Sequence, residues 1–132
     1  KTKAGQLVEW DICGIQALTT TKTYRCRFDE QIPMRGKKRH YVIAFAKSSL
    51  RPKNAKRECG VAWLPADPEG DGAGRPDSGV LLTRNVLPSK SFHKSVFDVP
   101  NPFDAEKTMG AYYPKGTYTS KKAFESHGCP YK

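Results

Sequence analysis

Three histidines, His40, His93 and His127, are the side chains of this sequence whose ordinary pKa suits proton transfer near neutrality. Acid–base cleavage of RNA needs one group to take the 2′-hydroxyl proton and another to protonate the leaving oxygen. A cation beside them holds the charge that develops on the phosphate. His93 is followed by Lys94 in a segment, 92–99, that reads as a strand, so it is the histidine best suited to such a site. His40 falls within a basic segment and His127 stands near the last cysteine. Against that chemistry stands the ordinary role of a lone histidine, a surface or structural one. No serine-nucleophile elbow occurs. Gly70, Gly72 and Gly74 do not make a phosphate cradle, because the acids among them would repel phosphate and no Lys-Ser or Lys-Thr follows. The same acids fail the spacing of a helix-loop-helix calcium site.

Cys13, Cys26, Cys59 and Cys129 show no Cys-x-x-Cys, and no histidine lies three to five residues from another. A zinc site is therefore not expected, and neither is any other metal or cofactor. An even number of cysteines in a small basic chain predicts two disulfides and a secreted protein whose leader has been removed or never existed. Four cysteines allow three pairings, and spacing does not choose among them. A Cys26–Cys129 bridge would close a loop of about 100 residues, on the order of 4–5 kcal/mol in the chain-entropy model.

The chain has 132 residues and a formal charge of +10, with 23 Lys and Arg against 13 Asp and Glu. Its length suits a single domain over 1–132 and one modest core. The longest apolar run, Tyr41–Ala46, is too short to cross a bilayer, which takes about 20 residues. The charge is uneven. Between residues 35 and 57 stand Arg35, Lys37, Lys38, Arg39, Lys47, Arg51, Lys53, Lys56 and Arg57, with no acid. The loop 66–78 is the reverse, with Asp67, Glu69, Asp71 and Asp77 against Arg75 alone. One strongly basic element is the electrostatic footprint of a polyanion binder. RNA, an anionic membrane or wall surface, and a merely solvated basic face all fit it. Tyr112, Tyr113 and Tyr118 could stack on unpaired bases, though the sequence does not place them beside the basic span.

Alternation of apolar and polar residues predicts strands over 6–13 and 23–28 that form a hairpin, with residues 1–22 an N-terminal hairpin or extension to the domain. From Pro33, the recurrence of Met34, Tyr41, Val42, Phe45, Ala46 and Leu50 favours a helix that Pro52 stops, over a buried strand at 41–46. Cys59–Leu64, Val80–Thr83 and Phe92–Val99 read as strands, and 66–78 as a turn-rich loop. One helix with several antiparallel strands makes a small α+β domain.

Tyr24-Arg25-Cys26, with Pro33 seven residues later, resembles the opening of small secreted fungal guanyl-specific ribonucleases and ribotoxins. It resembles more closely the ribonuclease-like effectors of plant-pathogenic fungi such as powdery mildews, with Cys129 at the place of their partner cysteine. The stretch Ala62-Trp63-Leu64-Pro65, the acidic loop, and then Arg75-Pro76-Asp77-Ser78-Gly79-Val80-Leu81-Leu82 resembles the central strands of the ribonucleases. His93 then falls near the family's last catalytic histidine. The resemblance covers about residues 23–129 and rests on short motifs. It implies one helix packed on a curved antiparallel sheet, pinned by Cys26–Cys129 and Cys13–Cys59. It also implies departures. The family's catalytic Glu is matched by Ala62, and its phosphate-binding Arg by Gly79. A methyl group takes no proton, and glycine offers no charge to a phosphate.

The expectation is a monomeric, non-catalytic secreted effector, able to pass into host cells, acting on a plant host and recognisable by an immune receptor. Host RNA or a ribosomal surface would lie against Lys37, Lys38, Arg39, Arg51, Lys53, Lys56 and Arg57, with His93 a relic. Its rivals are a live ribonuclease or ribotoxin using His93 with Glu58, Glu69 or another histidine, a host-protein-binding module with incidental charge, and an antimicrobial protein. A different topology, or an acidic side chain within reach of the His93 imidazole, would overturn the expectation.

Overall fold

Leucine, valine, tryptophan and isoleucine in Leu7–Ile15 (β1), and threonine, tyrosine and phenylalanine in Thr23–Phe28 (β2), are residues that fill a pleated, half-buried surface. The two strands pair antiparallel, with Ile12 opposite Arg27 and Cys13 opposite Cys26, so the expected hairpin is present. Its register shifts between Gly14 and Ile15. The absence of a side chain at Gly14 matters there, because a Cβ would stand 3.0 Å from the Phe45 ring. The computed structural model describes residues 5–36 and 40–132. Lys37, Lys38 and Arg39 lie outside the described residues.

The helix expected from Pro33 onward is not there. Ile43–Ala46 (β3) is a strand, and it pairs in parallel with Ala62–Pro65 (β4). The apolar run that suits a helix face also suits a buried parallel strand, and β-branched Val42 and Ile43 tip it to the extended form. Parallel neighbours need a crossover. Here residues 47–61 supply it with two 3₁₀ turns, Ser48–Leu50 and Arg57–Cys59, closed by Gly60 at φ +78°. The expected strand at Cys59 therefore starts later, at Ala62. The α-helical segments fall elsewhere, at Ala105–Met109 (α1) and Lys121–Glu125 (α2). Val80–Pro88 (β5) extends the strand expected at Val80–Thr83. No strand forms over Phe92–Val99. Ser95 and Asp98 satisfy backbone groups locally and hold a 3₁₀ turn at Val96–Asp98.

The chain forms two compact units. One comprises residues 11–83 and 119–132; the described part of the other comprises 5–10 and 84–118. The three-stranded sheet is ordered β2-β1-β5, and the first unit carries the β3-β4 pair. Ala44, Ala55, Val61 and Phe124 form a buried cluster in it, with Val42, Trp63 and Tyr131 packed alongside. Helix α2 delivers Phe124 to that cluster. Ser120 caps its start by accepting from the Ala123 N–H, and Asn54 Nδ2 donates to the Phe124 and Gly128 carbonyls at its end. In the second unit, buried Phe92 meets the Tyr112 ring edge-on at 5.0 Å. Gln6 accepts from the Ser89 N–H and donates to the Tyr112 hydroxyl.

Mixed α and β structure with an antiparallel sheet and two disulfides matches expectation, but the pairing does not. Cys13 bonds Cys26, and Cys59 bonds Cys129. Cys13 and Cys26 are cross-strand partners, so each finds its nearest thiol across the hairpin. Cys59 is wholly buried, and Tyr131 N donates to its carbonyl, which brings the C-terminal segment to the second bridge. Two disulfides fit an extracellular protein.

Non-reducing peptide mapping should recover Cys13–Cys26 and Cys59–Cys129 and no crossed pair. Replacing Cys59 and Cys129 by serine should cost about 4 kcal/mol and replacing Cys13 and Cys26 about 3, because the Cys59–Cys129 bridge closes the longer loop. Urea titration of the two double variants gives that order.

Candidate nucleic-acid interface

A cavity of about 200 Å³ opens in the first unit, lined by Arg27, Gln31, Pro33, Arg51, Lys56, Arg57, Val61, Ala62 and Trp63. Each cation reaches it from an element that has little choice of direction. Arg27 follows Cys26 in β2, so the period of two sends it to the face opposite the disulfide. Arg51, Lys56 and Arg57 come from the crossover. Val61, Ala62 and Trp63 come from the start of β4.

The three arginines are anchored by main-chain carbonyls. Arg27 Nε donates to the Trp63 carbonyl at 3.0 Å and its Nη1 to the Cys26 carbonyl at 3.1 Å. Arg51 donates twice to the Ala55 carbonyl, from Nη2 at 2.8 Å and Nε at 3.1 Å, and its guanidinium lies 5.5 Å over the Trp63 ring. Arg57 Nη1 donates to the Gln31 carbonyl at 3.0 Å. Carbonyl anchors fix a guanidinium without cancelling its charge. No salt bridge engages Arg27, Arg51 or Arg57 among the described residues, and no acidic side chain lines the cavity. Glu58, beside Arg57 in the same turn, pairs with Lys56 at 3.1 Å and also feels the charge of Arg51.

Among the residues expected to form the basic surface, Arg51, Lys56 and Arg57 are thus brought together. Lys53 is exposed and does not line the cavity; its main-chain N–H donates to Glu125. Lys47 is bound to Asp77 at 2.6 Å. Sequence reasoning missed Arg27 and Trp63. Their signals were present, an arginine on the opposite strand face from a cysteine and a tryptophan opening a short strand, but the charge count pointed only to residues 35–57.

Ala62, the position matching the family's base, lines the cavity with its methyl group. Gly79, the position matching the family's cation, does not; its α-carbon faces the Ile15 carbonyl and the Phe45 ring. Glu58 is a poor proton acceptor. A backbone N–H and then Lys56 hold its carboxyl below the ordinary 4.5. Glu69, the other candidate base, is bound by Lys22 at 3.1 Å and by Gln16 at 3.0 Å.

His93 belongs to the other unit, and it is not a bare relic. Asp98 Oδ1 lies 3.7 Å from its Nδ1, so an acidic side chain is within reach of the imidazole, contrary to the expectation. The reason is local. Asp98 Oδ2 accepts from the Ser95 hydroxyl at 2.6 Å and from the Ser95 N–H at 3.0 Å, which turns the chain back beside His93. These bonds, and then the imidazole, hold the Asp98 carboxyl below its ordinary 3.8. Tyr112, Tyr113 and Tyr118 also belong to this second unit, so Trp63 is the aromatic ring that lines the cationic cavity.

No protein-family model, curated protein or solved structure matches the chain. Among the described residues no helix is long and apolar enough to cross a membrane, and no cluster of His, Cys, Asp and Glu could hold a metal ion.

The depressed Asp98 carboxyl has a pH signature. Its folded pKa lies below its unfolded one, so its stabilising effect is complete above about pH 4 and is lost as pH falls through the folded value. Asp98→Asn should flatten the acid limb of stability below about pH 4. Urea midpoints measured across pH 2–8 check it.

Proposed function

We propose that this protein is a secreted, non-catalytic RNA-binding effector that grips phosphate through Arg27, Arg51, Lys56 and Arg57. The observation that carries the reading is the set of three guanidinium groups held by carbonyls around one cavity, with no salt bridge to any of them among the described residues. Lys22, Lys47 and Lys115 are paired with Glu69, Asp77 and Glu106, and in the cavity Lys56 is paired with Glu58, while the three arginines make no salt bridge among the described residues. Like charges gathered around one cavity repel one another, and an anionic ligand relieves that repulsion. Phosphate contacts of this kind give affinity without sequence choice. The Trp63 ring, with Arg51 over it, adds a stacking platform.

The setting comes from the motif resemblance, namely a fungal effector acting on a plant host, against host RNA or a ribosomal surface, and recognisable by an immune receptor. Ala62 in the cationic cavity supports a ribonuclease-like ancestry in which the base has been lost. The strand in place of the expected helix, and Asp98 beside His93, count against it.

The His93–Asp98 pair favours a second reading, an active hydrolase. An imidazole beside a carboxylate is a general-base arrangement. Here, however, the carboxylate is already engaged by Ser95, and the imidazole is 77% exposed to water.

Filter binding of single-stranded RNA across salt concentrations tests the first reading. Affinity should fall linearly with salt on logarithmic axes, and Arg27→Ala or Arg57→Ala should each lower the slope by about 0.7, the share of one phosphate contact. A salt-independent response removes nucleic acid as the partner. Incubation with RNA should leave it intact. Cleavage that disappears in His93→Ala would establish the hydrolase instead.

A further inference from the structure

The cavity's chemistry is more specific than a basic surface requires. We infer that it receives a terminal phosphomonoester of RNA rather than a phosphodiester within the strand. This rests on the RNA-binding reading above and narrows it.

The match between donors and acceptors points to an end. A guanidinium has five N–H donors. Each arginine spends one or two of them on a carbonyl, so each keeps at least three for a ligand. An internal phosphodiester offers two free oxygens and one negative charge. A terminal phosphate offers three oxygens and nearly two charges at neutral pH, one oxygen for each guanidinium. A second charge also relieves more of the repulsion among the arginines.

Both ends of an RNA strand can carry this group, and so can a phosphoinositide headgroup. The experiment compares fluorescently labelled eight-nucleotide RNAs of one sequence, with a 5′-phosphate, a 3′-phosphate or hydroxyls at both ends, together with vesicles containing phosphatidylinositol 4-phosphate. Anisotropy should show one or both phosphorylated forms binding on the order of tenfold or more tighter than the hydroxyl form, the equivalent of one further charge-assisted hydrogen bond. Inorganic phosphate at millimolar concentration should erase that difference. Arg57→Ala should abolish it, and Arg57→Lys, which keeps the charge but loses the fork, should reduce it. Unchanged disulfide maps and circular dichroism confirm that the variants fold.

Equal, salt-sensitive binding of all three RNAs overturns end recognition and leaves the RNA-binding reading standing. Binding of none of them overturns both. Binding to the vesicles in place of the RNAs overturns RNA as the source of the phosphate.

Discussion

The parallel pairing of β3 with β4 is the constraint from which the candidate site follows. Two short strands running the same way cannot be joined by a turn, so the chain must travel back along the molecule between Ala46 and Ala62. In most parallel pairs a helix makes that return. Here Pro52, two 3₁₀ turns and Gly60 make it, and such a path does not bury its side chains on a regular face. Arg51, Lys56 and Arg57 are left pointing to the side where β4 begins. Cys59, within the last turn of the crossover, is tied to Cys129, and Asn54 grips the end of α2. The return path is thus fixed at two points on either side of Lys56 and Arg57.

Electrostatics then separates two kinds of basic residue. The loop 66–78 is acidic, and it draws Lys22 and Lys47 to itself through Glu69 and Asp77. Exposed pairs of this kind add little to stability. Their effect is to take those cations out of the pool that a polyanion could meet. The arginines of the cavity are held instead by backbone oxygens that would otherwise need partners of their own. A carbonyl holds a guanidinium less strongly than a carboxylate does, but it does not neutralise its charge. Fixed side chains also lose less freedom when a ligand arrives.

Much of this was legible in the sequence, and the failures have definite causes. Alternation in 6–13 and 23–28 gave the hairpin, and the glycine- and proline-rich composition of 66–78 gave its turns. The apolar run 41–46 was read as helix because periodicity cannot distinguish a buried strand from a helix segment of that length. The pairing partner that decides, Ala62–Pro65, lies beyond any local window. The cysteine pairing failed for the same reason: it depends on register, and Cys13 opposite Cys26 is a fact about two strands together. Charge density singles out Arg51, Lys56 and Arg57, which the structure brings to one cavity. It could not find Arg27, whose neighbours in sequence are not its neighbours in space. Asp98 escaped notice because its place beside His93 follows from a 3₁₀ turn, where a strand was expected.

The distribution of proton acceptors decides how far a ribonuclease-like reading can be carried. Within the unit that holds the cationic cavity, the place of the family's base is a methyl group, and the neighbouring carboxylate, Glu58, is committed to Lys56. That commitment makes it a weaker base as well as an occupied one, since a carboxyl held below its ordinary pKa is reluctant to take a proton. The imidazole with a carboxylate partner belongs to the other unit, in water, its carboxylate bonded to Ser95. Acceleration of phosphoryl chemistry comes chiefly from charge stabilisation and base acting on one phosphate held in one geometry. On the proposed reading, a cavity that supplies the charge without the base would stabilise a phosphate as it stands, since binding energy spent equally on substrate and transition state gives affinity without turnover.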